Sequence, residues 1–166
     1  MPIISITSDP EALTITSVGA YPVSVERLWA AWADPRQLER FWGPPEYPAT
    51  FTRHDLRAGG GANYFMTGPD GERYYGYWRF KTVEPGRGFE AVDGFCDAEG
   101  NISGALPSST LRMAFEATEE GARFTAVSIF DSLEDMETLL SMGALEGYEL
   151  ALAQLDGVLA QAPTAG

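Results

Sequence analysis

Four Gly- or Pro-bearing turns between residues 47 and 130 limit this chain more than any other feature of its sequence. They are Ala58-Gly59-Gly60-Gly61, Gly68-Pro69-Asp70-Gly71, Glu84-Pro85-Gly86 and Glu119-Glu120-Gly121. Glycine reaches backbone angles that other residues avoid and proline fixes its own, so each is a turn signal with a mechanism. The runs between them, 47–56, 62–67, 72–83, 87–95, 109–117 and 123–130, read as strands. In 109–117, Leu111, Met113 and Phe115 fall on one face and Thr110, Arg112 and Glu116 on the other. Strands joined so tightly pair antiparallel. The polar stretch 96–108 is the longer connection and reads as a loop.

Helical text flanks this block. Residues 11–23 read as a further strand closed by Pro22. Ser24 then offers an N-cap, and Val25, Leu28, Trp29 and Trp32 recur at i, i+3, i+4 and i+7, one apolar stripe. Asp34, Pro35 and Gln37 make a capping-box pattern for a second, short helix carrying Leu38, Phe41 and Trp42. Gly43-Pro44-Pro45 stops it. From Ser132, with Asp135 three residues on, the last segment predicts one long helix. Its stripe runs through Met136, Leu139, Leu140, Tyr148, Ala151, Leu152, Leu155, Val158 and Leu159. Gly143 and Gly147 interrupt it and predict a bend near Gly143, and the tail QAPTAG is expected to fray.

Strand, two short helices, six strands and a long helix give an α+β architecture. A sheet of about six or seven strands buries its inner face only by curling round something, and the terminal helix is the element long enough. A helix rarely fills the hollow of a strongly curved sheet, so a cavity is expected. The 166 residues predict one domain, with its core over about 11–160.

A net charge of −13 argues against nucleic acid and anionic membrane surfaces as partners, and no run is long and apolar enough for membrane insertion. The start MPIISITSDPEALT has no basic segment and carries Asp9 and Glu11, so no secretory signal is expected and a cytoplasmic location is the simplest expectation. One cysteine, Cys96, allows no internal disulfide.

The segments VERLWAAWADPRQLERFWGP, HDLRAGG, GPDGERYYGYWRF, VDGF followed by DAEG, and GALEGYELALAQLDGVLA, in this order and spacing, resemble the family named for the activator of the Hsp90 ATPase, its homologue-one-like branch. The likeness covers roughly residues 14–160. It implies membership of the START-like, Bet v 1-like (SRPBCC) superfamily, whose helix-grip fold holds an internal apolar pocket for lipids, sterols, polyketides and other hydrophobic molecules. A co-chaperone partner is the second implication, and a cyclase- or hydrolase-like enzyme using the same cavity the third.

Residues expected to line the cavity follow from the faces. Trp42, at the Gly-Pro-Pro stop, is placed where a large ring lines a mouth as readily as it packs, whereas Trp29 and Trp32 read as core. Trp78 and Phe80 share a face with Tyr74 and Gly76. Met113, Phe115 and Phe130 face the helix stripe of Met136, Leu140 and Tyr148, with Tyr64 beside them. Asp93 falls on one strand face with Phe89, Ala91 and Phe95. Facing inward it would need Arg79, Tyr64, Tyr148 or a ligand group, because an unpaired buried charge is costly. Plain core packing accounts for most of these side chains equally well.

Tyr75, Tyr77, Val127 and Ile129 are expected outward, where a contiguous patch would make a homodimer. His54 and Cys96 read as an ordinary surface histidine and a small thiol. No His or Cys cluster supplies a metal site, Gly59-Gly60-Gly61 lacks the Lys-Ser/Thr of a phosphate loop, and no catalytic constellation is evident. The expectation is a small hydrophobic molecule as ligand, with no cofactor and no metal.

Overall fold

The computed structural model describes residues 3–102 and 106–160, so the tail 161–166 and part of the 96–108 loop lie outside the described residues. Eight strands form one antiparallel sheet: β1 (Ile3–Asp9), β2 (Thr14–Tyr21), β3 (Ala49–His54), β4 (Gly61–Thr67), β5 (Arg73–Glu84), β6 (Gly88–Phe95), β7 (Ser109–Thr118) and β8 (Gly121–Phe130). Their order is β1-β2-β8-β7-β6-β5-β4-β3. Register slips between Phe51 and Arg53 and between Phe80 and Thr82 bend the sheet, as an extra residue in one strand does. This is the helix-grip arrangement.

The amino-terminal end departs from the sequence expectation. The strand expected over 11–23 begins at Thr14, and an eighth strand, Ile3–Asp9, precedes it. Asp9 Oδ1 accepts the backbone N–H groups of Glu11 and Ala12 at 3.1 and 3.2 Å, and Leu13 takes the left-handed conformation at φ 58°. That local turn brings Ile6 opposite Ser17.

Helix α1 (Val25–Ala33) is capped by Ser24, whose Oγ accepts the Arg27 N–H at 3.1 Å, and it seals Leu28, Ala31 and Trp32. Helix α2 (Pro35–Leu38) is capped by Asp34 through the Arg36 N–H at 2.9 Å. The chain then delivers Phe41 into the core. Trp32 meets Phe41 at 5.1 Å and Phe124 at 5.6 Å, and Trp29 meets Phe115 edge-on at 5.2 Å. Each such ring pair adds about 0.5–1.5 kcal/mol beyond its burial.

The single long terminal helix of the sequence analysis is three pieces: α3 (Leu133–Ser141), α4 (Ala144–Leu152) and α5 (Leu155–Leu159). Gly143 breaks it by adopting the left-handed conformation at φ 81°, which glycine reaches without a Cβ clash. Ser132 caps α3 through the Asp135 N–H at 3.1 Å. The far end is clamped. Arg27 donates to Gln37 Oε1 at 2.6 Å and to the Val158 carbonyl at 2.8 Å, and Gln154 donates to the Gly43 carbonyl at 2.7 Å.

One sheet edge is also occupied. Arg36 Nη2 donates to the Phe51 carbonyl at 2.7 Å, and Glu39 Oε2 accepts the Phe51 N–H at 2.9 Å. The two side chains pair at 3.2 Å and stand where a neighbouring strand would sit.

On the inner face of β2, Gly19 leaves room for the Phe124 and Tyr21 rings. A Cβ there would collide with Phe124 and approach Tyr21 to 2.9 Å. Gly19→Ala is therefore expected to destabilise the fold by about 1–3 kcal/mol, the cost of overpacking, read as a lower urea midpoint with an unchanged slope.

Candidate ligand site

Two rows of facing residues on the inner sheet build the site. Ala62, Trp78 and Asp93 lie side by side across β4, β5 and β6, and Tyr64, Gly76 and Phe95 form the next row. Gly76 is the enabling residue, because a Cβ there would collide with the ring end of Tyr64. Tyr64 can therefore lie across β5 toward Trp42. The Trp42 ring is the hub: it stands 4.8 Å from Trp78, 6.2 Å from Tyr148 and 6.3 Å from Tyr64, edge-on to each. Tyr148 descends from α4, and its hydroxyl reaches Ser17 Oγ on β2 at 3.0 Å.

The inner face is not sealed here. Trp42, Tyr64, Met66, Asp93, Phe95 and Tyr148 all keep accessible surface, while Trp78 behind them is 1% exposed. Helix α4 covers this region thinly, with only Ala151 and Leu152 buried among its described side chains. Gly147 lies one turn before Ala151, and a Cβ built on it would touch nothing within 4 Å.

The remaining side chains expected to line a cavity are distributed otherwise. Phe80, Met113 and Phe115 belong to the main packed core. Phe130 and Met136 join Ile15 in a second cluster under α3, with Leu140 packed on it. Trp29 and Trp32 are core, as their spacing implied.

The electrostatics are those of a polar enclosure. Burial pushes the Asp93 carboxyl up to about 7, and the nearby Trp78 indole N–H opposes that only in part. Arg79 does not serve as its partner: it lies on the outer face, 5.7 Å from the Tyr77 ring centre. Burial raises the Tyr148 hydroxyl to about 12, opposed by Ser17 and aided by the Asp93 charge. Burial raises Tyr64 further, again with Asp93 adding to it. The Trp42 indole N–H lies beside the Tyr64 hydroxyl, and that of Trp78 beside the Asp93 carboxyl.

His54 is no simple surface residue. It is half-buried against Phe51, Trp78 and Phe80, its Nε2 meets the Trp32 carbonyl at 3.1 Å, and burial lowers its pKa. Tyr77 points outward as expected yet is buried, its ring lying over Gly94. Among the described residues no group of three or more His, Cys, Asp or Glu is placed to hold a metal ion, and no helix is long and apolar enough to cross a membrane.

Two other concavities are elsewhere. One of about 500 Å³ is lined by Arg53, Asn63, Phe65, Arg73 and Tyr75 with the 96–100 loop, and one of about 440 Å³ by Thr82, Glu90, Arg112, Thr125 and Val127 among others. In the first Arg73 sits 4.2 Å over the Phe65 ring, and in the second Arg112 pairs with Glu90 at 3.6 Å.

A family model for activator of Hsp90 ATPase homolog 1-like proteins matches residues 22–160. The chain belongs to this family. A solution NMR structure of a protein from Arthrobacter aurescens is 42% identical with a TM-score of 0.89, covering 96% of this chain and 92% of that one. The crystal structure of protein Ms6760 from Mycobacterium smegmatis is 41% identical with a TM-score of 0.87, covering 98% and 100%. An AHSA1 protein from Silicibacter pomeroyi, 24% identical over 89% of this chain and 97% of that one with a TM-score of 0.70, shares the fold. No curated protein matches the chain. Membership supports a ligand-binding or Hsp90-activator-like domain.

A raised carboxyl pKa has a definite consequence for stability. The folded state holds the Asp93 proton up to about 7, whereas the unfolded chain releases it near 3.8. The folded state therefore binds more protons in that window, and stability must fall as pH rises through it. Asp93→Asn, which mimics the protonated carboxyl, is expected to flatten this decline between about pH 4 and 7 in urea titrations. Parallel profiles for the two proteins would show that Asp93 is not held proton-bound.

Proposed function

We propose that this protein binds a small hydrophobic molecule, lipid-like or polycyclic, in the space between α4 and the inner face of β4, β5 and β6. The observation that carries the reading is the unsealed region around Trp42. Side chains deep enough for burial to shift their pKa values still keep accessible surface, and Gly147 faces open space. A site with mostly apolar walls and a few convergent polar groups is the usual form of a small-molecule pocket. Apolar burial supplies the affinity, at ~25 cal/mol per Å² before the costs of association. Trp42, Tyr64, Phe95, Met66 and Tyr148 form the wall, with Asp93 and Trp78 at its back.

A co-chaperone role of the Hsp90-activator kind would work through the outer surface and has no need of an open interior. The accessible surface that Trp42, Tyr64, Asp93 and Tyr148 keep supports the ligand reading over it. The sheet and α5 fix the walls, so ligand entry requires movement of α4 or of the turns at either end of it. Gly143 provides one such hinge through its left-handed backbone.

The test is titration with N-phenyl-1-naphthylamine, a neutral apolar fluorophore that brightens out of water. Saturable, one-to-one enhancement is expected, with a change in tryptophan emission. A flat titration would sink the reading. Gly147→Leu places a side chain into the space and is expected to weaken the fluorophore at least about tenfold, the worth of a lost methylene or two of pocket volume. Gly147→Ala is expected to stabilise the fold by about 1 kcal/mol, since it improves helix propensity and meets no neighbour. A thermal melt checks that independently of binding.

A further inference from the structure

Granting that reading of the interior, one carboxyl limits what its occupant can be. Asp93 lies on the inner face between Trp78 and Ser109 and keeps accessible surface. No cation faces it. Strands β4 and β6 carry no Arg or Lys, and Arg73, Arg79 and Lys81 of β5 are all exposed. Among the described residues Asp93 enters no ion pair. The Trp78 indole N–H lies beside it. A carboxylate has two oxygens and about four lone-pair positions, so one neutral donor does not complete it. Its charge acts on the hydroxyls of both Tyr64 and Tyr148, so the carboxyl belongs to the same enclosure as those rings.

The helical cover has the same sign. From Phe124 to the end of the chain the sequence holds seven acids and no Lys or Arg. Helix α4 itself presents Glu146 and Glu149 to solvent. A molecule approaching past α4 meets a negative potential, which draws cations and turns away anions. A ligand carboxylate inside would find no cation and would face Asp93, and two carboxylates sharing one dry site disfavour each other strongly.

We propose that the enclosure takes an apolar molecule bearing a protonated amine, whose ammonium pairs with the Asp93 carboxylate while its hydrocarbon lies against Trp42, Tyr64 and Phe95. Folding has already withdrawn the carboxyl from bulk water, so the ammonium completes a buried charge instead of creating a lone one. The aromatic wall suits this cation as well as its hydrocarbon, because ring faces attract positive charge. A neutral molecule of the same shape fills the same space but leaves Asp93 without its counter-ion.

The experiment is displacement of bound N-phenyl-1-naphthylamine at pH 8, above the Asp93 pKa of about 7, by decylamine, 1-decanol and decanoate. An alkylamine is still protonated there. On the wild-type protein decylamine is expected to bind at least about tenfold more tightly than decanol, with decanoate weakest. A net charge of −13 attracts any ammonium to the surface, and two comparisons separate that from pairing inside. Sodium chloride at 1 M screens exposed charges far more than buried ones, and is expected to leave the amine-to-decanol ratio within about threefold of its low-salt value. Asp93→Asn changes the total charge by one, and is expected to bring decylamine down to the level of decanol within that variant. Bound fluorophore reports that the variant is folded, and the salt comparison on wild-type protein decides the matter if it is not. Decanol binding as tightly as decylamine, an amine preference that collapses in high salt, or one that survives in Asp93→Asn overturns the proposal while leaving the general ligand reading intact. Failure of the fluorophore to bind wild-type protein at all overturns that reading instead.

Discussion

The concave side of the sheet carries a continuous aromatic surface, from Phe51 through Trp78, Phe80 and Phe89 to Phe115 and Phe124, and no strand can cover it. Helical residues must, and they are unevenly supplied. Around α1, α2 and α5 the cover is dense: Leu28, Trp32, Leu38 and Leu155 are fully sealed. Beneath α4 it is thinner, with Ala151 and Leu152 its buried described side chains.

Most of the architecture was legible because it follows from short-range chemistry. The Gly- and Pro-bearing turns force antiparallel neighbours, and the Ser24, Asp34 and Ser132 caps all form as their spacing implies. Two features were not legible. Strand β1 is a run of Ile, Ser and Thr whose conformation is decided by pairing with β2, a tertiary effect that local propensity does not encode. The break at Gly143 could be suspected from composition, but a complete division into three helices depends on how each piece meets the sheet.

The site was legible in part, for the same reason. Alternation placed Asp93, Trp78 and Tyr64 on the inner face, and the sheet register then put them in adjacent rows. Alternation cannot tell a lining residue from a packed one. Phe80, Met113 and Phe115 obey the same period as Tyr64 and Asp93, yet they are buried in the main core, whereas Tyr64 and Asp93 keep accessible surface. Gly76 bears on that distinction by admitting the Tyr64 ring, and it is silent in a hydrophobicity pattern.

The ion pair of Arg36 and Glu39 does more than decorate α2. By taking up both backbone groups of Phe51, it acts as a false strand and closes that margin of the sheet in its middle. A further strand laid along β3 would have to displace this pair before it could bond to Phe51.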